Sequence, residues 1–150
     1  MKAMIGFLFF MLFLGGLAFV NLKNSQDTEN ARVTSFPELA DAAWQLTHLG
    51  DMVVDDDTDI YIQFRMDGQF DGNTGCNRFF GNAEFAEALS FGGIGATRRA
   101  CPEPANSYEL SFLEALGNTT AALRVDDRLA FRNADDQSIL RFVAVPRISE

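Results

Sequence analysis

Residues 60–72 read IYIQFRMDGQFDG. Ile60, Ile62, Phe64 and Met66 alternate with Tyr61, Gln63, Arg65 and Asp67, a period of two that sends successive side chains to opposite faces of a half-buried strand. Asp67-Gly68 then interrupts the pattern. Glycine accepts a positive φ at no steric cost and aspartate tolerates one, so the chain is predicted to turn back here and return through Gln69-Phe70-Asp71-Gly72. Two strands joined by so short a turn must be antiparallel.

The neighbouring sequence extends the same architecture. Trp44 to Leu49 reads as a first strand, Asp55 to Asp59 as an acidic loop, and Asn77 to Phe85 and Leu89 to Ile94 as further strands, with Gly92, Gly93 and Gly95 marking bends or bulges. One segment reads as a helix. Asn106 is placed to cap it with Glu109 at capping-box spacing, Tyr108, Phe112, Leu113 and Leu116 share a face, and Gly117 supplies the stop. Leu123 to Val125, a turn at Asp126-Asp127, Leu129 to Phe131 and a last strand from Ile139 to Val145 complete the chain. The predicted class is α+β, a curved antiparallel sheet or partly open barrel with one helix packed against it.

Residues 1–22 stand apart. Ala3 to Val20 is an unbroken run of apolar residues and glycine, long enough to cross a bilayer, with Lys2 before it and Lys23 after it. It reads as a signal peptide, with Gly16 and Ala18 as the small residues before a cleavage site, or as a retained transmembrane anchor. Residues 23–42 read as a polar linker containing Phe36-Pro37, residues 43–146 as the globular domain and residues 147–150 as a tail. With 47% hydrophobic residues, 15 of its 150 residues being phenylalanine, the chain can bury a substantial core. Twelve Lys and Arg against 21 Asp and Glu give a net charge of −9, which argues against a nucleic-acid partner.

Three segments in order carry a family resemblance: Trp44-Gln45-Leu46, then Gly75-Cys76-Asn77-Arg78-Phe79-Phe80-Gly81, then Thr97 with Cys101 ahead of a helix bearing Glu109. Together they resemble the META domain, the domain of the HslJ heat-shock protein, from about Trp44 to Val145. Arg99 stands where that family usually has methionine, and no cysteine follows the apolar run to carry the lipid found on many bacterial members. The resemblance implies a small antiparallel-sheet fold with one helix, an envelope location, and for some members a link to heat shock, novobiocin resistance or virulence. It implies no reaction.

The residues that invite chemistry also have plain structural uses. Cys76 and Cys101 are the only cysteines; a disulfide, two buried thiols and a reactive cysteine are the readings, and a reactive one needs a base for which His48 is the lone histidine. One histidine and two distant cysteines do not make a zinc site. An EF-hand starting at Asp55 would need a glycine and a glutamate where Ile60 and Met66 stand. Asp71 and Asn73 suit a cation or a tight turn, and Arg78, Arg98 and Arg99 suit an anionic ligand or pairing with local acids. Asn77 and Arg78 are the candidate ligand contacts. Trp44, Gly75, Gly81, Thr97 and Glu109 are expected to be structural motif residues.

No catalytic set, cofactor or metal is expected. The anticipated role is a non-enzymatic envelope protein, held to the membrane by its N-terminal segment and acting by binding or support toward an envelope partner. The alternative is a carrier or sensor of a lipid-like apolar ligand in the cleft of the sheet.

Overall fold

The computed structural model describes residues 31–149. The expected membrane segment, residues 23–30 of the expected linker and Glu150 lie outside the described residues, among which no helix is long and apolar enough to cross a membrane. Nine strands form one antiparallel sheet: β1 (Ala43–Leu49), β2 (Met52–Val53), β3 (Ile60–Phe64), β4 (Gln69–Thr74), β5 (Arg78–Phe85), β6 (Leu89–Ala96), β7 (Ala121–Val125), β8 (Arg128–Arg132) and β9 (Ser138–Val145). The order is β6-β5-β4-β3-β1-β9-β8-β7, with β2 paired to β1. The only α-helix among the described residues, α1 (Ala105–Gly117), separates β6 from β7. The sheet curls into a half-barrel, and its two edge strands approach where the Leu89 N–H donates to the Thr120 carbonyl at 2.9 Å.

The hairpin forms at Asp67-Gly68 but takes three residues. The Gly68 N–H donates to the Arg65 carbonyl at 3.1 Å, the Arg65 N–H donates to the Gln69 carbonyl at 2.7 Å, and Gly68 sits at φ +87°. That is a tight turn closed by a glycine in the left-handed region. Met66 is therefore the tip of the turn and 68% exposed, not a fourth inward residue of the strand. β3 is also not half-buried. Tyr61 and Gln63, on its outer face, are buried as well. Gln63 donates to Asp71 Oδ2 at 2.9 Å and accepts from the Ile148 N–H at 3.3 Å. The expected tail thus docks on the sheet, and Arg147 Nη1 donates to the carbonyls of Ala40 and Phe64 at 2.8 Å each.

Two further expectations give way. Residues 32–42 of the expected linker belong to the domain: Val33 donates its N–H to the Ala122 carbonyl, Leu39 is fully buried, and Phe36 packs on Phe85 with ring centroids 4.8 Å apart. The apolar residues spaced through this stretch close the end of the barrel near Gly68, at the start of β4, while α1 covers the end near Thr74, where β4 finishes. The capping box is absent. The helix starts at Ala105, and the Glu103 carboxylate accepts from the Ser107 N–H at 3.2 Å, the Ser107 hydroxyl and the Asn106 amide. These bonds, the Ser107 hydroxyl first, hold the Glu103 carboxyl below its usual pKa. Glu109 is left free to turn inward.

Trp44 is fully buried and anchors the Phe36 end through its Nε1–H, which donates to the Leu39 carbonyl at 2.9 Å. Arg124 lies 4.9 Å over the indole and makes two parallel 2.8 Å bonds to Asp41. The hydrogen bonds from Arg124 hold the Asp41 carboxyl below its usual pKa.

Phenylalanine rings fill the interior. Phe64, Phe70, Phe79 and Phe112 follow one another at centroid spacings of 6.1, 5.9 and 5.3 Å. Glycines make room for them. A Cβ on Gly72 would lie 2.7 Å from the Phe79 ring, and one on Gly81 would lie 2.6 Å from Cζ of Phe70 and 2.9 Å from the Gly92 carbonyl. The motif glycine at position 81 is thus the space for a core ring. Gly81→Ala is expected to cost about 1–3 kcal/mol of stability through overpacking, read as a lower urea midpoint with unchanged slope.

Candidate functional site

The Gly75-Cys76-Asn77 motif forms the tight connection from β4 to β5. Gly75 sits at φ +83°, where a Cβ would also press to 2.9 Å from the Thr58 carbonyl, and its N–H donates to Asn73 Oδ1. The Thr74 hydroxyl oxygen accepts from the Asn77 N–H at 2.9 Å, closing the turn. Asn77 is then buried, 2% exposed, with its amide aimed at the segment leading to α1.

That amide has two donor and two acceptor positions, and the chain fills all four. Nδ2 donates to the Arg99 carbonyl at 3.2 Å and to Glu109 Oε1 at 3.1 Å. Oδ1 accepts from the Thr97 hydroxyl and the Arg99 N–H, both at 2.8 Å. Glu109 completes the cluster by accepting from the Thr74 hydroxyl on its other oxygen at 2.5 Å. Cys76 and Cys101 form a disulfide, Cα to Cα 5.8 Å, beside this network. The thiol readings, buried or reactive, are therefore overturned. His48 is elsewhere, on β1, with Nδ1 3.0 Å from the Thr47 hydroxyl. Arg99, the departure from the family pattern, donates through Nη2 to the Cys76 carbonyl at 2.7 Å.

The structure thus brings Gly75, Cys76, Asn77, Thr97, Cys101 and Glu109 together, while Trp44 and Gly81 serve the core elsewhere. Arg78 alternates to the opposite side of β5 and lines a groove of about 540 Å³ on the outer face of the sheet, where Arg65 also lies. Asp71 and Asn73 are held by protein groups: Asp71 by Gln63, Asn73 by Gly75 and Asp59. No cluster of three metal-ligating side chains occurs among the described residues. Sequence reasoning missed Thr74 and Phe80. Phe80 was detectable, because strand alternation with Phe79 inward puts it outward.

This fold and this motif define a class. The family model of the META domain matches residues 37–146, and the chain belongs to the META domain family. Among solved structures it is similar to a protein from Burkholderia xenovorans determined by NMR, at 25% identity and TM-score 0.59, over 75% of this chain and 87% of that one. A second NMR structure matches at 22% identity and TM-score 0.58, covering 74% of this chain and 96% of its own. A DUF4847 family protein from Bacteroides vulgatus shares the fold at 15% identity and TM-score 0.55, over 75% and 98% of the two chains. No curated protein matches the sequence.

Two tests follow from the cluster. Asn77→Ala strands the Thr97 hydroxyl, the Arg99 N–H and the Glu109 carboxylate at once, and is expected to cost about 2–4 kcal/mol in chemical denaturation. Reduction of the disulfide, or Cys101→Ser, opens a 25-residue loop and is expected to cost about 3 kcal/mol from chain entropy, measured as the same midpoint shift.

Proposed function

We propose that this chain is a non-enzymatic META-domain protein of the cell envelope, acting by binding or structural support, with stress or antibiotic tolerance as its setting. The observation that carries the location is the Cys76–Cys101 disulfide, which ties the β4–β5 turn to the segment leading into α1. Such a bond persists in oxidising compartments and is rare in the cytosol. The apolar run from Ala3 to Val20 agrees with export, as cleaved signal or retained anchor.

The non-enzymatic reading is supported by the motif itself. Its polar groups bond one another, so none is poised to abstract or donate a proton. The competing role of an apolar-ligand carrier needs room on the concave side of the sheet. That side is where Phe64, Phe70, Phe131 and Phe142 lie, with Phe131 and Phe142 5.1 Å apart.

Expression of the full chain in a bacterium, followed by membrane fractionation and thiol trapping with a maleimide polymer, tests the location. Recovery in the envelope with both cysteines unreactive until reduction is expected. Recovery in the cytosol with free thiols would overturn it.

A further inference from the structure

The outer face of β5 carries Arg78, Phe80 and Asn82, while Phe79, Gly81 and Ala83 point into the core. Phe80 is 58% exposed, although it stands in the middle of a sheet face. Its partner across the ladder on β6 is Gly95. A Cβ there would come within 2.7 Å of Phe80 Cζ, so the ring leans over bare backbone and keeps the rest of its surface in solvent. Gly93, at φ +60°, continues the gap beside Asn82.

Polar groups surround the ring in register. Asp71 lies directly opposite Phe80 on β4, and Gln69 directly opposite Asn82. Arg65 closes that row through its backbone bond to Gln69. The side chains of Arg65, Gln69 and Asn82 make no hydrogen bond or ion pair among the described residues. With Arg78 they bound the groove of about 540 Å³, within the size range of small-ligand sites.

We propose that this groove is a binding site for acidic saccharides, with a sugar ring on Phe80 and its carboxylate on Arg65. The C–H groups of a pyranose carry partial positive charge, which suits the negative face of an aromatic ring. Its hydroxyls both donate and accept, which suits the paired amides of Asn82 and Gln69 and the Asp71 carboxylate. A guanidinium takes a carboxylate through two parallel bonds. A lipid tail would desolvate these polar groups without partners. This inference rests on the reading of the domain as a binding module and names its ligand class.

Calorimetric titration of the full chain in lipid nanodiscs tests it, with trigalacturonate, neutral maltotriose and a hexaglutamate peptide as probes. Trigalacturonate is expected to bind saturably at one site and at least tenfold more tightly than maltotriose. Phe80→Ala is expected to abolish binding, and Gly95→Val to do the same by displacing the ring. Arg65→Gln, an exposed change that keeps the fold, is expected to remove the preference for the acidic sugar. Absence of saturable trigalacturonate binding, or binding unchanged by Phe80→Ala and Arg65→Gln, overturns the proposal. Hexaglutamate binding as tightly as the sugar overturns it too, in favour of an acidic peptide. Thiol trapping reads the compartment alone, so failure here leaves the envelope location standing, and failure there leaves the groove tested on its own chemistry.

Discussion

One buried side chain holds the far end of this domain together. Asn77 connects three stretches of chain: the β4–β5 turn through its own backbone, the Thr97–Arg99 stretch through both amide atoms, and α1 through Glu109. Thr97–Arg99 runs without regular structure and α1 has only two fully buried apolar side chains, Phe112 and Leu116. Neither would be fixed against the sheet by burial alone. A half-satisfied cluster would be worse than an apolar one, because each unpaired group keeps its desolvation cost. The disulfide beside it acts on the unfolded chain and the amide network acts on the folded one, so the two reinforce the same junction from opposite sides of the equilibrium.

The rest of the core obeys a different constraint, the fit of large rings to a narrow curl. A sheet that bends this tightly has little space on its concave side. The solution is to pair rings with glycines across neighbouring strands: Phe79 over Gly72, Phe70 over Gly81. The same device appears on the convex side, where Phe80 leans over Gly95. Inside, it yields close packing; outside, it leaves an aromatic surface that the described residues cover only in part.

Much of this was legible before the structure. The strand from Ile60 to Phe64, the turn at Gly68, and the apolar face of Phe112 and Leu116 are short-range patterns, and they appear where the sequence places them. What was illegible depends on contacts distant in the chain. Residues 32–42 look like a spacer because Val33, Phe36 and Leu39 are isolated apolar residues in polar company, and only the open barrel end explains them. Glu109 sits at the spacing of a capping box, yet Glu103 already serves the helix start, and the inward bond to Asn77 takes Glu109. In both cases a local rule was available and a tertiary partner overrode it.

Arg147 binds the carbonyls of Ala40 and Phe64 with a single nitrogen. The amino-terminal and carboxyl-terminal stretches of the domain are therefore buckled to each other and to the hairpin strand between them. Fraying from the carboxyl end releases Arg147, and with it one anchor of the segment that carries Leu39 and leads into Trp44. Peeling from the amino end removes the same carbonyl from Arg147. The two ends are thus coupled: a protease or a pulling force that opens the domain from either side also loosens a contact that holds the other.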